Sequence, residues 1–544
     1  MADAPNSSVA AAQSPNRALT GRQIAQAAGV LVLGFVLSRL LGLLRDAILA
    51  AIFGGGTAFE AYVAAARPPE TLFFVVAGGA LGSAFIPTFT SYLEQGERKE
   101  AWHLANAAIT LMALIMVALA GLAAIFARPI VASVLAPQFE AQKQALAADL
   151  MRIMMLSPII FSISGLLMGI LNAHQRFLLP AIAPALYNVG IIFGALFLSP
   201  LMGVYGLAWG VVLGALLHLL VQVPGLATLR MPYRPVFDIR HAGVREVARL
   251  MGPRVLGLAV VQVNFWVNIA LASGMVEGSV AALTRAWVVM LLPQGVIAQS
   301  VANAVFPTFS IHAARGEQER LRLALGEVLR AVLFLAIPAS VGLIVLRLPI
   351  VRLLFERGAF TAEDSAATAW ALLFYGLGLV AHSLVEIVTR AFYALHDTRT
   401  PVLVGSGAMI LNVLLSLTLI RWIGDPTSLT HGPFAGLALA NTFATTLEGA
   451  TLLLLIRRRV GGLEGRRTAV GLLRSIAASA GMGLVLWALL PLIEKWGQYV
   501  GPLAGVVAGG CVFIALAWLL GSEEAHLLPL LISQRLGRKQ KGRA

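Results

Sequence analysis

Residues 85–97 read Phe85-Ile86-Pro87-Thr88-Phe89-Thr90-Ser91-Tyr92-Leu93-Glu94-Gln95-Gly96-Glu97, and residues 305–317 read Val305-Phe306-Pro307-Thr308-Phe309-Ser310-Ile311-His312-Ala313-Ala314-Arg315-Gly316-Glu317. The two stretches align without a gap over thirteen residues at an offset of 220. A weaker echo links Asn172, Ala173 and His174, before Pro180, to Ala394, Leu395 and His396, before Pro401. Pro-Thr at a helix end is a common boundary signal when it stands alone. A gapless match of this length instead implies a duplicated architecture.

Apolar runs of about 20 residues, enough to cross the hydrocarbon core, surround these stretches. They centre near residues 38, 74, 114, 161, 190, 214, 261, 293, 335, 380, 411, 445, 481 and 510, which makes fourteen. Several contain Gly or Pro, as membrane helices tolerate. One copy of the repeat closes the second run and the other closes the eighth. Six spans separate the copies, so both point the same way. The expectation is an all-α membrane protein of about fourteen transmembrane helices. Two parallel six-helix lobes would be related by an axis along the membrane normal, with two C-terminal helices left over. The implied boundaries are a disordered tail at 1–23, an N-terminal lobe at 24–228, a C-terminal lobe at 229–460, a two-helix appendage at 461–522 and a basic tail at 523–544.

Composition agrees. Of 544 residues, 58% are hydrophobic and 12% charged, against roughly 45–50% and 25% in soluble domains. The formal charge of +14 would suggest nucleic acid in a soluble protein. Here the basic residues sit in short clusters between apolar runs, which excludes that reading. The even-numbered connections are basic: Arg98 and Lys99; Arg230, Arg234, Arg240 and Arg245; Arg315, Arg320 and Arg322; Arg457, Arg458, Arg459, Arg466 and Arg467. The C-terminal tail adds Arg535, Arg538, Lys539, Lys541 and Arg543. The positive-inside rule then places both termini in the cytoplasm. The ninth connection breaks the pattern with Arg347, Arg352 and Arg357 and reads as an amphipathic surface segment. The N-terminus lacks the basic start and small-residue cleavage site of a signal peptide. A single cysteine, Cys511, rules out a zinc or disulfide framework. No nucleotide loop or catalytic triad appears, and the histidines show no ligand spacing, so an enzyme is not expected.

Charges inside apolar runs are costly and mark function by default. The first span holds Arg39, Arg45 and Asp46, with Arg39, Gly42 and Asp46 along one stripe. The second holds Glu60, Arg67 and Glu70, and Pro68-Pro69 between them is expected to interrupt the helix. The seventh holds Arg254 and the eighth Arg285. Glu386 and Arg390 of the tenth are spaced as an i,i+4 pair. In spans 1, 2, 7 and 8, five arginines against three acids suit an anion, and the guanidinium fork matches phosphate. Some of these arginines could equally snorkel to the interface.

The stretch Ser38-Arg39, Gly42, Arg45-Asp46-Ala47, Ile52-Phe53-Gly54 and Ala84-Phe85-Ile86-Pro87 resembles the N-terminal signature of the MurJ (MviN) lipid II flippases. Similar elements follow at Gly169-Ile170-Leu171-Asn172, Arg176-Phe177, Pro180, Pro184, Asn188, Met251-Gly252-Pro253, Gly358-Ala359-Phe360-Thr361, Phe392-Tyr393 with Asp397, and Thr400-Pro401. The resemblance implies the multidrug/oligosaccharidyl-lipid/polysaccharide exporter fold, alternating inward- and outward-open states, and a polyprenyl-pyrophosphate-linked peptidoglycan precursor as substrate. It implies that arginines of spans 1, 2 and 8 hold the pyrophosphate in a central cavity. Arg39 and Arg45 match those of span 1. Phe73 and Val288 stand where the other two fall, and Arg285, one turn earlier, offers a substitute. The implied setting is the bacterial plasma membrane and cell-wall biosynthesis. The implied partners are membrane lipids and cell-wall synthesis enzymes, with no nucleic acid. The implied energy source is the membrane potential or an ion gradient, without a cofactor. Alternatives from the residues are a flippase of the same fold for another lipid-linked oligosaccharide, a multidrug exporter, or a non-transporting scaffold.

Overall fold

A computed structural model describes residues 21–76, 82–229, 231–463 and 465–526. The expected N-terminal tail up to residue 20, Arg230 and the basic cluster from Arg535 to Arg543 lie outside the described residues. From the N-terminus the helices run α1 (Gly21–Phe53), α2 (Thr57–Val76), α3 (Gly82–Glu94), α4 (Arg98–Ile125), α5 (Ala127–Ile130), α6 (Ala141–Met154), α7 (Leu156–Ala173), α8 (Leu178–Phe193), α9 (Ser199–Met202), α10 (Val204–Leu220) and α11 (Val223–Thr228). They continue with α12 (Ala242–Ala272), α13 (Ser279–Gln294), α14 (Ser300–Ala314), α15 (Gln318–Val345), α16 (Arg347–Phe355), α17 (Ala362–Ala394), α18 (Arg399–Leu419), α19 (Phe434–Arg459), α20 (Gly465–Lys495) and α21 (Gly497–Leu519). Among the described residues there is no strand. In hydrocarbon a segment must satisfy its own backbone, and a helix does so without a partner.

Among the described residues, eleven helical stretches are long and apolar enough to cross a membrane. The other three expected spans correspond to α1, α2 and α12, each of which carries charged residues. Apolar side chains face outward, as for Leu114, Ile115, Val117 and Ile125 on α4. Such a surface suits lipid and would be a liability in water. The ninth connection forms α16, whose Val351 and Phe355 are buried.

The repeat is written in the backbone. Gly96 and Gly316 both adopt left-handed dihedrals, with φ of 80° and 69°. Glu97 and Glu317 follow with φ/ψ of −82°/57° and −79°/62°. The hydrogen bonds match too: Glu97 N donates to Tyr92 O and Glu317 N to His312 O. The weaker echo is equally real but sits one residue away from the expected pairing. Gln175 and His396, the non-glycine residues with positive φ (59° and 57°), correspond at an offset of 221. Asn172 therefore matches Tyr393.

Contact clustering gives two compact units. One comprises the chain to Arg45, Pro68–Ala127 and Leu150–Leu258; the other comprises Asp46–Arg67, Arg128–Asp149 and Ala259 onward. The first is built on α3, α4 and α7, each touching the other two, with Phe85, Phe89, Leu104 and Ile170 fully buried between them. The second repeats the arrangement with α14, α15 and α17 around Phe309, Leu325, Ile387 and Phe392. It also holds α20 and α21, which pack on each other, with α20 lying against α15.

Each unit ties the left-handed turn after its central helix to the end of a later helix, with different chemistry. Arg176 donates to Thr228 and to Gly225 O (3.3 Å) in the first. Asp397 accepts from Arg459 in the second, and also from Thr400 N (3.0 Å) and Thr400 Oγ1 (2.8 Å). These bonds, led by the Thr400 amide, hold the Asp397 carboxyl below its ordinary value of 3.8.

The expected interruption at Pro68-Pro69 is not seen: α2 runs through both prolines. Each proline forfeits only the bond from its own nitrogen to the carbonyl four residues back, and the flanking turns persist. The boundary between the two units nevertheless falls between Arg67 and Pro68.

No side chain lies within 4 Å of a Cβ added at Gly96 or Gly316, so substitution there meets only backbone strain. Gly96→Ala and Gly316→Ala should each cost about 1 kcal/mol, equal within error, as melting shifts of the purified protein in detergent. A carboxylate held below its ordinary value stabilises the fold above that value, and the benefit fades as pH falls through the folded value. Thermal stability should therefore drop below about pH 4, and Asp397→Asn should flatten that acid limb while lowering the melting temperature at neutral pH.

Candidate substrate-binding residues

In the first unit, α1 and α8 approach closely: a Cβ on Gly34 would lie 2.4 Å from Ala181 O. This contact brings Asn188 opposite Gly42. Asn188 Nδ2 donates to Ser38 O (3.3 Å) and Pro184 O (3.1 Å), and its Oδ1 accepts from Arg45 Nη1 (3.0 Å). Two carbonyls thus fix the amide so that its oxygen faces the guanidinium. Arg39 is exposed, with its guanidinium 5.1 Å from the centre of the Phe35 ring one turn earlier. Glu70 is half-buried on α2. Phe73 packs on Phe161 (4.6 Å between centroids), which also meets Tyr187 and His218. The side chain of Arg254 lies outside the described residues.

In the second unit, Asp46 and Arg67 are half-buried. Glu60 is 1% exposed. Its Oε1 accepts from Gly278 N (3.0 Å) and Val280 N (2.8 Å) at the start of α13, and its Oε2 pairs with Lys143 of α6. A carboxylate suits the open amides and positive dipole end of a helix N-terminus. Arg285, one and a half turns into α13, is 3% exposed. Its Nη2 donates to Gly54 O (2.6 Å), and its guanidinium lies 4.0 and 4.7 Å from the centres of the Phe59 and Phe360 rings. Gly54 and Gly358 meet here without room for a side chain, since a Cβ on Gly358 would come within 2.2 Å of Ala51 O. Ala359 N donates to that same carbonyl (2.7 Å). Glu60 and Arg285 thus anchor the α1–α2 turn, and Arg285 presents no open surface to a ligand. The i−3 spacing did place it near the face of Val288, but packing against the turn covers it. Arg67 lies over Phe265 (5.4 Å), which joins Trp287, Tyr375 and His382 in an aromatic cluster. Glu386 and Arg390 form the expected ion pair (2.9 Å).

Asn188 was one of the residues that carry the family resemblance, without a role assigned to it, and Lys143 was not singled out by sequence. Lys143 carried a usable signal: it is the only lysine between Lys99 and Lys495, and a carboxylate inside a membrane needs a partner.

Duplicated helical cores, a two-helix addition and arginines in the first span define a membrane transporter of the multidrug/oligosaccharidyl-lipid/polysaccharide exporter type. Residues 49–506 match the family described as lipid II flippase MurJ. The lipid II flippase MurJ of Burkholderia cenocepacia is 30% identical over 519 residues, covering 91% of this chain and 97% of its own. The probable lipid II flippase MurJ of Haemophilus influenzae is 28% identical over 522 residues, covering 91% and 99%. A solved lipid II flippase MurJ in an inward closed conformation superposes with a TM-score of 0.75 at 26% identity, covering 90% of this chain and 98% of that one. An inward-facing multidrug resistance MATE family transporter shares the fold, with a TM-score of 0.63 at 17% identity, covering 80% and 99%. This chain belongs to the MurJ lipid II flippase family.

Removing the Glu60 carboxylate strands a buried ammonium and two amides. Glu60→Ala should cost about 3–5 kcal/mol, read as loss of folded protein after detergent extraction. Glu60→Gln keeps an acceptor for the amides and should cost about half as much. Lys143→Met should partly rescue Glu60→Ala by removing the unpaired charge.

Proposed function

We propose that this chain carries lipid II, a polyprenyl-pyrophosphate-linked peptidoglycan precursor, from the inner to the outer leaflet of the bacterial plasma membrane by alternating access. The observation that carries this reading is the family relationship over nearly the whole chain, joined to an Arg45 held in place by Asn188 and an exposed Arg39 on the same helix. A diphosphate offers several anionic oxygens, and two guanidiniums can grip it with paired, charge-assisted hydrogen bonds. Preorientation by Asn188 reduces the ordering that binding requires of Arg45. Both termini face the cytoplasm, on the side of the basic connections. The membrane potential, worth about 2.3 kcal/mol per charge per 100 mV, or an ion gradient resets the unloaded carrier.

A second reading, a flippase for a different polyprenyl-linked glycan, is favoured by one observation. Phe73, which packs on Phe161, and Val288 stand where family arginines were expected. Arginines outnumber acids five to three among the candidates of spans 1, 2, 7 and 8, which disfavours a multidrug exporter that would need acids for cationic drugs.

Expression in a strain depleted of its own lipid II flippase separates the readings. The unmutated chain should restore growth and cell shape, and Arg39→Ala and Arg45→Ala should each reduce rescue at least tenfold, the scale of one lost charge-assisted contact, at normal membrane levels. Failure of the unmutated chain, despite normal insertion, would remove the lipid II assignment.

A further inference from the structure

The C-terminal helices carry a cavity lined by none of the candidate substrate-binding residues described above. It measures about 350 Å³ and opens where α15 and α20 meet the segment after α21, lined by Arg330, Arg467, Gly471, Arg474, Glu523 and Glu524. That volume lies within the range of small-ligand sites. Among the described lining residues, three guanidiniums face two carboxylates.

The groups are organised rather than scattered. Arg330 is 8% exposed, with its Nε 3.9 Å from Glu524 Oε1. Ser522 Oγ donates to Glu524 Oε2 (2.8 Å). Arg467 donates to Glu523 Oε2 from both Nε (2.9 Å) and Nη2 (2.6 Å). Arg474 donates from Nη1 to a neutral acceptor, Gly521 O (2.5 Å). Its positive charge is therefore the one the carboxylates do not directly match. A guanidinium has five N–H donors, so donors remain for a ligand. Arg467, Gly471 and Arg474 follow i, i+4, i+7 spacing on one stripe of α20, and Gly471 keeps the space between the arginines open.

The surroundings select the kind of ligand. Beneath Arg330, Phe334 joins Ala478, Met482 and Phe513 in a buried apolar cluster. Val470 also lines the cavity and is 40% exposed, and Leu473 and Ile476, further along α20, are 65% and 46% exposed. An anionic group next to an exposed apolar strip, at a basic end of the helices, is the arrangement of a lipid headgroup site. We propose that this cavity binds the phosphate diester of an anionic membrane phospholipid, with its acyl chains along Val470, Leu473 and Ile476.

Native mass spectrometry of the full-length protein in nonionic detergent tests this. The protein should retain phosphatidylglycerol in preference to phosphatidylcholine, and millimolar inorganic phosphate should not displace it. Arg474→Gln should reduce retention at least about tenfold, the effect of one charge-assisted hydrogen bond. Gly471→Leu should do the same by filling the cavity while every charge stays in place, and it decides the matter if Arg474→Gln does not fold. Equal retention in folded variants overturns the proposal. So does phosphatidylcholine binding as tightly as phosphatidylglycerol, or release by inorganic phosphate alone, which would make this a free-phosphate site.

Discussion

An unpaired charge or backbone amide inside hydrocarbon costs several kcal/mol, and the rest of this structure follows from that. It makes every described regular element a helix. It also decides what happens at helix ends that are buried in protein. The start of α13 exposes backbone amides within the unit, and Glu60 covers them. Lys143 then balances Glu60, and Arg285 satisfies the carbonyl of Gly54 from the same helix. One helix terminus thereby recruits three charged side chains and fixes the α1–α2 turn.

The duplicated halves show which features a fold preserves. The backbone at Gly96-Glu97 and Gly316-Glu317 is the same within about 10°, and the phenylalanines Phe89 and Phe309 fill equivalent core positions. The tie between a central turn and a later helix end is also kept. Its chemistry is inverted: an arginine at the turn in one unit, an aspartate in the other. Geometry was retained because the helices must meet there. The side chains could differ because either polarity satisfies the same contact.

The candidate anion-binding residues divide along the same logic. Arg39 and Arg45 stand on a helix whose neighbour supplies Asn188 as a positioning group. Glu60 and Arg285, which look equivalent to them as intramembrane charges, are consumed by packing. Phe73 belongs to an aromatic cluster that contains His218, and Trp287, the residue before Val288, belongs to one that contains His382. Of the arginines that the family resemblance led one to expect, those of the first span stand at their positions, and Phe73 and Val288 occupy the other two.

Sequence alone determined the helical class, the repeat and the basic connections, because each is a local pattern: apolar runs of bilayer length, a gapless echo, charges clustered between runs. It also determined the Glu386–Arg390 pair, whose i,i+4 spacing is local too. Tertiary structure decided the rest. Lys143 is 83 residues from Glu60, and Asn188 is 143 from Arg45, so no spacing rule could join them. The path of α2 through Pro68-Pro69 depended on the turns either side, and the burial of Arg285 on a turn 231 residues earlier. The physical reason is common to all four. The worth of a charge or a proline inside a membrane is set by what packs against it, and that partner is chosen by the fold rather than by the neighbouring residues.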